Sequence, residues 1–280
     1  MKENKSKAVP AALLSMLCVQ SGASIAKQLF PVIGAAGTSM MRIGLSAILL
    51  TIINKPKVSA LTLKQWKYSL FYGLGIGGMN LIFYFAIQRI PLGLAVTVEF
   101  VGPLLLALSL SRKVLDVVWA LFACAGIMMI VPWDTNSVDP IGLLLAFMAG
   151  VFWAAYIVMG SRISKVMDSK TAVTTGMWIA TLVILPFGIV GGQLGAMDWT
   201  IFVKALLVAV LSSALPYTLD MVALKQLPAK TFSVLTSLHP AFAALSGLIF
   251  LQEHLSLIQW VSISCVIIAS LGSTIFSQKT

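Results

Sequence analysis

Five ionisable side chains lie inside long apolar runs of the sequence: Lys27, Arg42, Glu99, Asp220 and His239. A charged group near the centre of a membrane helix costs about 2.5–3.5 kcal/mol on insertion scales, so such groups pair with one another or face a water-filled cavity. An amino acid carries one carboxylate and one ammonium. A cavity that holds a guanidinium and a carboxylate would offer a partner to each. These residue types therefore suit the binding of a small zwitterion, the transfer of a proton, or both.

Arg42 and Glu99 fall at a similar depth when their runs are taken as helices. At about 1.5 Å per residue, Arg42 lies about 9 Å and Glu99 about 10 Å below the outer surface. Two interpretations remain open: the two side chains form an ion pair with each other, or they hold the two ends of a substrate that competes with that pair. Lys27 falls in the last turn of its run, from which its long side chain can reach the surface.

Glu99 and His239 are also candidates to bind and release a proton. Burial in apolar surroundings disfavours the charged form of a carboxylate, and an unperturbed histidine titrates near neutral pH. For His239 the alternative is a neutral side chain that bonds to a neighbouring helix. Asp220 lies five residues before Lys225. That spacing favours a pairing or gating role near the cytoplasmic end of its run over direct substrate contact.

Two prolines, Pro103 and Pro240, lie inside apolar runs. A proline within a helix removes one hydrogen bond and frees carbonyl groups that a polar ligand can use. The sequence therefore predicts kinks beside a cavity. The candidate lining residues, each with packing as its alternative role, are Gln20, Ser21, Asn80, Tyr84, Trp153, Tyr156 and Tyr217.

The composition requires a membrane. The 280 residues are 59% hydrophobic and 10% charged, with a mean hydropathy of +0.98, whereas soluble domains are about 25% charged. Runs of about 17–25 apolar residues predict spanning helices. Ten are present: 8–29, 36–54, 68–88, 92–111, 115–132, 140–160, 171–191, 201–224, 230–251 and 256–276. We therefore expect an all-α integral membrane protein whose surroundings are the lipid bilayer.

The positions of the basic residues predict the topology. With the N-terminus inside, fifteen Lys and Arg residues fall on the cytoplasmic side and only Arg89 and Lys204 on the outer side. Such an excess is typical of cytoplasmic loops. The pattern predicts an inner-membrane protein with both termini in the cytoplasm. It also means that the net charge of +10 does not indicate nucleic acid as a partner.

Two segments 137 residues apart share a pattern. Pro91–Pro103 (PLGLAVTVEFVGP) and Pro228–Pro240 (PAKTFSVLTSLHP) both begin and end with proline. Ten spans in two halves make five per half, and an odd number inverts the second half in the membrane. We therefore expect two inverted five-helix repeats, 1–137 and 138–280. Many secondary transporters have this architecture, with the substrate site at the repeat interface.

Motifs of soluble enzymes are absent from the sequence. It contains no Walker loop, HExxH or GxSxG motif. Its three cysteines and two histidines have no metal-ligand spacing. We therefore expect no enzymatic activity, no cofactor and no metal.

Four segments resemble the EamA branch of the drug/metabolite transporter superfamily, and within it the threonine/homoserine exporter group. They are QSGASIAKQLFP (20–31), GGMNLIFYFAIQRIPLGLAVTVEFVGPL (77–104), SALPYTLDMVALKQLP (213–228) and LHPAFAALSGLIFLQEHL (238–255). The resemblance implies ten helices, cytoplasmic termini, a cavity between the halves, and efflux of small amino acids in exchange for protons. The positions that resemble this group are Lys27, Glu99, Pro103, Pro216, Asp220, Pro240 and Glu253. His239 departs from it, because the group tends to carry a carboxylate before the ninth-helix proline.

The resulting hypothesis is a proton-coupled exporter of small neutral amino acids. Arg42 and Lys27 would hold the substrate carboxylate, Glu99 the ammonium or the coupling proton, and His239 a second titrating site. Two alternatives stay open. The same fold would carry a nucleoside-like metabolite, an S-adenosyl compound or an amphiphile in either direction, or the chain would be a non-transporting membrane scaffold.

Overall fold

The computed structural model describes residues 5–110, 118–119, 121–122, 125–126, 129, 139–193, 195, 197–252 and 256–277. These residues form helices and turns, with no strand among them. Seven helices in the described part are long and apolar enough to cross a membrane. The chain is thus an all-helical multi-pass membrane protein, as predicted. The predicted fifth span, 115–132, lies largely outside the described residues, and Glu253 and His254 lie outside them entirely.

The first three helices match the predicted spans, although each of them starts earlier than predicted. They are α1 (Lys5–Lys27), α2 (Phe30–Asn54) and α3 (Leu63–Arg89). Helix α2 starts before the predicted residue 36 because Pro31 fits its first turn, where the missing N–H needs no partner. It then bends at Gly34, whose φ of 70° suits glycine. Helix α3 starts early because Thr62 and Gln65 form a capping box.

Nine further helices follow among the residues that the structure describes. They are α4 (Leu92–Glu99), α5 (Val101–Ser109), α6 (Pro140–Ile163), α7 (Ser169–Gly191), α8 (Trp199–Ala209), α9 (Leu215–Gln226), α10 (Ala229–Leu235), α11 (His239–Leu251) and α12 (Leu257–Ser277). A π-helical segment, Val210–Ala214, joins α8 to α9. A 3₁₀ turn, Thr236–Leu238, joins α10 to α11. Three of the predicted continuous spans are therefore interrupted near their middle.

The break between α4 and α5 lies at Phe100, three residues before Pro103. Proline has no N–H, so the Glu99 carbonyl loses its usual partner four residues along. That oxygen lies against Gly150 of α6, where a Cβ would overlap it. A Cβ on Gly102 would in turn overlap the Gly150 carbonyl. The backbones of α5 and α6 therefore touch directly, and this contact fixes the position of Glu99.

The helices pack in reciprocal pairs between the two parts of the chain. Helix α6 packs on α3, while α1 packs on α9. Helix α2 packs on α7, and α4 packs on α11. Large apolar side chains such as Ile53, Leu182 and Val190 stay exposed on the outside of the bundle. A lipid environment suits that apolar exterior, because the exposed side chains then contact acyl chains and not water.

An ion pair joins the ends of α3 and α6. Arg89 donates to the Asp139 carboxylate at 2.7 Å, and Asp139 also accepts from the Ile141 N–H at 2.8 Å. These bonds hold the pKa of Asp139 below its usual range, with the Arg89 hydrogen bond as the larger cause. At the other end of the pair, Gln65 donates to the Val166 carbonyl at 2.8 Å. The α3–α6 pair is thus tied at both ends.

Candidate functional site

A cavity lies among α1, α2, α3, α4, α6, α9 and α11. Nine of the sequence-predicted site residues line it: Gln20, Arg42, Asn80, Glu99, Trp153, Tyr156, Tyr217, Asp220 and His239. Its other lining residues are Val19, Ala23, Met79, Phe83 and Pro216. The fold therefore gathers polar side chains from both halves of the sequence into one space.

Arg42 is held by hydrogen bonds to uncharged groups. Its Nε donates to the Ser213 hydroxyl at 2.7 Å, and its Nη1 donates to the Tyr84 hydroxyl at 3.1 Å. Its Nη2 donates to the Ser212 carbonyl. The guanidinium carbon also lies 5.3 Å from the centre of the Tyr84 ring. A guanidinium has five N–H donors, so two remain for a ligand in the cavity.

Sequence reasoning missed Ser212 and Ser213, which are both fully buried. The sequence feature that could have indicated them is Pro216, four residues after Ser212. Because proline has no N–H, the Ser212 carbonyl has no ordinary helical partner and is open to Arg42. Both serines lie in the π-helical segment, and such segments occur often at functional sites.

Glu99 is buried, with 6% of its surface exposed, and its carboxylate faces the cavity. Across the described part of the chain, no donor bonds to this carboxylate and no cation pairs with it; the ion pair present there joins Arg89 to Asp139. Arg42 and Glu99 thus form no ion pair with each other among the described residues, although both line the cavity. Arg42 bonds instead to Tyr84 and to the α8–α9 junction.

Asp220 lies in the cavity and accepts a hydrogen bond from the Tyr156 hydroxyl at 3.1 Å. It forms no ion pair with Lys225, so the pairing role suggested by their spacing is not seen. The reason is geometric: residues five apart on a helix point in different directions. Asp220 follows Tyr217 by three residues and shares its inward face.

Three tyrosine side chains pack together beside Asp220. Tyr156 lies between Tyr72, at a ring distance of 5.4 Å, and Tyr217, at 5.5 Å. Asn80 donates to the Tyr217 hydroxyl at 2.5 Å and to the Ile76 carbonyl at 2.8 Å. Both amide hydrogens of Asn80 are thus occupied by the protein.

His239 closes the opposite side. Its Nδ1 lies 2.9 Å from Gln20 Nε2, and its ring meets the Trp153 ring edge-on at 4.8 Å. Gln20 is 3% exposed, and its Oε1 has no hydrogen-bond partner among the residues described. Gln20, which lines the cavity, therefore carries a buried acceptor that these residues leave unsatisfied. The bond between α1 and α11 agrees with the alternative in which His239 bonds to a neighbouring helix.

The remaining predicted residues lie around the cavity. Tyr84 supports Arg42 from behind and is fully buried. Lys27 ends α1, two turns beyond Gln20, and does not line the cavity. Pro103 follows the break at Phe100, and Pro240 follows the 3₁₀ turn in the first turn of α11. Both prolines thus lie next to interruptions that border Glu99 and His239.

The arrangement offers one guanidinium and two carboxylates in an apolar, aromatic space. It can hold a carboxylate at Arg42 and a cation or proton at Glu99. In the described part of the chain, no group of three His, Cys, Asp or Glu side chains has the arrangement of a metal site. The chemistry of the cavity is therefore that of charge recognition.

Comparisons with known proteins agree with this fold. The EamA-like transporter family model matches residues 140–275. A threonine/homoserine exporter, RhtA, of Salmonella typhimurium (strain SL1344) is 44% identical over 269 residues, which cover 95% of this chain and 91% of that protein. RhtA of Escherichia coli (strain K12) is 42% identical over the same shares. An uncharacterized transporter of Bacillus subtilis, YvbV, is 27% identical over 76% of this chain and 73% of its own.

A solved structure described as "Crystal structure of protein" has the same fold. It superposes with a TM-score of 0.74 at 14% identity and covers 99% of this chain and 100% of its own. At that identity the likeness concerns the fold alone. The two RhtA relatives, in contrast, match along nearly the whole length at more than 40% identity. On that extended similarity, the chain belongs to the EamA-like transporter family.

Proposed function

We propose that this protein is a secondary transporter of the inner membrane that exports small neutral amino acids, with threonine and homoserine as the first candidates, in exchange for protons. The observation that carries the proposal is that Arg42 and Glu99 line one cavity without forming an ion pair among the described residues. Three of the five Arg42 N–H donors bond to the protein, which leaves two for a ligand. A guanidinium and a carboxylate in one cavity match the two ends of a zwitterion.

The chemistry of exchange follows from Glu99. A substrate ammonium and a proton are both positive and both suit this carboxylate, so each excludes the other. Loading of the amino acid therefore displaces the proton, and release of the amino acid lets the proton return. Asp220, held by the Tyr156 hydroxyl, adds negative charge that keeps a cation favourable in the cavity.

Gln20 gives this cavity a place for a hydroxyl group. Its Oε1 is buried without a partner, and an unsatisfied buried acceptor costs about 1–3 kcal/mol. A hydroxyl on the substrate side chain relieves that cost by donating to Oε1. Threonine and homoserine both carry such a hydroxyl, whereas valine does not. The names of the RhtA relatives point to the same two substrates.

We further propose that the fold is ten helices in two inverted repeats, 1–137 and 138–280, with both termini in the cytoplasm. The reciprocal packing of α6 on α3 and α1 on α9 supports two equivalent halves. Interruptions beside Pro103 and Pro240, 137 residues apart, support the same offset. The excess of basic residues on one side supports the orientation.

The aromatic lining weakens the alternative of a bulky aromatic cargo. Trp153 already packs on His239 and Phe100, while Tyr156 packs on Tyr72 and Tyr217. Little ring surface is left for stacking. Inhibition of threonine transport by nucleosides or other aromatic compounds would instead favour an aromatic substrate.

The test is transport by purified protein in proteoliposomes with labelled threonine, homoserine and valine and an imposed pH gradient. We expect threonine and homoserine flux that follows the gradient and collapses with a protonophore. Gln20→Leu should reduce the preference over valine by about tenfold, as expected for loss of a buried hydrogen bond to the substrate. The matched control is Gln28→Leu, because Gln28 is exposed near the end of α1. Absence of flux under every gradient would instead support a scaffold.

A further inference from the structure

A groove rich in positive charge lies outside the cavity, where α3 begins and α6 ends. Its lining residues are Lys64, Lys67, Tyr68, Phe71, Met159 and Arg162. None of them belongs to the cavity that holds Arg42 and Glu99. We call this feature the basic groove. It lies at the opposite end of the α3–α6 pair from the Arg89–Asp139 ion pair.

Helical spacing places these side chains together. Lys64, Lys67 and Phe71 recur at three- and four-residue intervals and so share one face of α3. Met159 and Arg162 are three residues apart on α6 and share a face in the same way. Helices α3 and α6 can lie close together because a small residue stands at their contact. A Cβ on Gly75 would stand 3.2 Å from the Tyr156 backbone.

The charges of the basic groove are not balanced by the protein. Its lining contains three cations and no carboxylate. No ion pair joins Lys64, Lys67 or Arg162 to any carboxylate among the residues described. Three neighbouring positive charges repel one another, and a bound anion removes that repulsion.

The lower part of the basic groove is apolar and faces the surroundings of the bundle. Phe71 is 46% exposed, and Leu70 and Leu74 in the same region are also exposed. Trp66, one turn before Leu70, is 42% exposed. Tryptophan and tyrosine are enriched where membrane and water meet. These exposed aromatic and apolar side chains beside the cations are typical of the boundary between lipid head groups and acyl chains.

We infer that the basic groove binds an anionic diacyl phospholipid. Its phosphate lies among Lys64, Lys67 and Arg162, and the first part of an acyl chain lies on Phe71 and Met159. Basic pockets between membrane helices bind anionic head groups in this manner. A free phosphate would satisfy the cations but leave the apolar part of the groove without a ligand. The inference does not depend on the transported substrate.

The test measures thermal stability in maltoside micelles during titration with short-chain lipids. The probes are dioctanoyl phosphatidylglycerol, dioctanoyl phosphatidylcholine and inorganic phosphate. The test variant combines Lys64→Gln, Lys67→Gln and Arg162→Gln. The control combines Lys55→Gln, Lys57→Gln and Lys170→Gln, which removes the same charge from the neighbouring ends of α2 and α7. Native mass spectrometry of the same samples counts the retained lipids.

We expect phosphatidylglycerol alone to raise the unfolding midpoint of the wild type. The test variant should need about tenfold more of this lipid, since each basic residue near an anionic head group contributes roughly fivefold or less to binding. The control should respond as the wild type does. Phe71→Ala, with all charges kept, should weaken the response severalfold.

Three results would overturn the inference. The first is equal loss of response in the test variant and the control, which would indicate a general effect of charge. The second is an equal response to phosphatidylcholine. The third is an equal response to inorganic phosphate, which would make the basic groove a site for free anions. If the test variant does not fold, the variant with Lys67→Gln alone and the Phe71→Ala protein decide the matter by the same criteria.

Discussion

Asn80 on α3 donates a hydrogen bond of 2.5 Å to the Tyr217 hydroxyl on α9. The two residues are 137 positions apart, the same offset that separates Pro103 from Pro240. In a two-fold repeat, equivalent residues that touch each other lie close to the symmetry axis. The Asn80–Tyr217 contact thus agrees with a pseudo-two-fold axis that passes through the cavity, between the proposed repeats.

This contact predicts an energetic coupling between α3 and α9. Asn80→Ala and Tyr217→Phe should each lower the unfolding midpoint, and the double variant should be less unstable than the sum of the two. The expected coupling is about 0.6–1.5 kcal/mol, as for polar contacts inside membrane bundles. Thermal unfolding of the four proteins in one detergent measures it.

Tyr68→Phe is the matched control for that cycle. Tyr68 lies on α3 as Asn80 does, and its hydroxyl has no hydrogen bond within the described ranges. Its variant combined with Tyr217→Phe should show additive effects. If the stability losses of Asn80→Ala and Tyr217→Phe simply add in the double variant, the hydrogen bond between these residues contributes nothing to stability.

A second prediction concerns the backbone contact that positions Glu99. A methyl group on Gly150 would overlap the Glu99 carbonyl, and one on Gly102 would overlap the Gly150 carbonyl. Backbone atoms cannot move aside as a flexible side chain can. Each alanine variant should therefore lose about 1–3 kcal/mol of stability and should lose transport as Glu99 is displaced.

Gly44→Ala serves as the control for crowding. Its Cβ would meet the Thr181 methyl at 3.6 Å, an ordinary contact, and alanine favours the helix over glycine. Its unfolding midpoint should stay equal or rise. Transport at wild-type rates by the Gly150→Ala protein would show that the α5–α6 contact does not fix the carboxylate.

The spans were predictable because apolar length is a local property of the sequence. The boundaries of α6 and α7 depend on such runs and on the caps of Asp139 and Asp168, and they agree with expectation within a few residues. The inward side chains were also predictable, because a charged residue in lipid is costly and must face polar surroundings. Glu99 was singled out in that way, whereas Asp220 was expected to have a pairing or gating role near the cytoplasmic end of its run.

Pairings between distant helices were not predictable in the same way. Equal depth made an Arg42–Glu99 ion pair conceivable, but depth says nothing about rotation around a helix axis. Two of the three partners of Arg42, Ser212 and Ser213, lie in the π-helical segment 210–214, which no pattern of apolar residues predicts. Gln20 was one of several polar candidates, and only the packing of α1 against α11 shows that its Oε1 is left unsatisfied.

A third prediction concerns recognition of the substrate carboxylate by Arg42. Lysine keeps the charge but lacks the planar fork that reaches Ser213, Tyr84 and the Ser212 carbonyl together. Arg42→Lys should raise the KM for threonine by about 10- to 100-fold, since a hydrogen bond to a charged group is worth about 1.5–3 kcal/mol. Counterflow in proteoliposomes measures this change.

Threoninamide, which lacks the carboxylate, separates this role from a structural one. The wild type should prefer threonine to threoninamide strongly, and Arg42→Lys should narrow that preference. Arg89→Lys, which alters the exposed ion pair with Asp139, should leave the preference unchanged. An Arg42→Lys protein that keeps the full preference would remove Arg42 from substrate recognition.

The last prediction assigns the coupling proton to Glu99 over His239. Glu99 is buried in the cavity without a hydrogen-bond donor among the described residues, and the charged groups that face it are Arg42 on α2 and Asp220 on α9. Such a carboxylate gains from a proton whenever no substrate ammonium is present. His239 already has its Nδ1 bonded to Gln20 and its ring packed on Trp153, which suits a fixed neutral imidazole.

Glu99→Gln should therefore bind threonine more weakly, because an amide cannot pair with the substrate ammonium, and its remaining threonine–threonine exchange should fail to respond to a pH gradient. His239→Gln should keep the gradient response, because its amide can still bond to Gln20. Asp198→Asn, which preserves the cap of α8, is the control for loss of a carboxylate outside the cavity and should behave as the wild type does. If Glu99→Gln still accumulates threonine against its gradient while His239→Gln does not, the proton belongs to the histidine, and the residue that departs from the exporter group would carry the coupling.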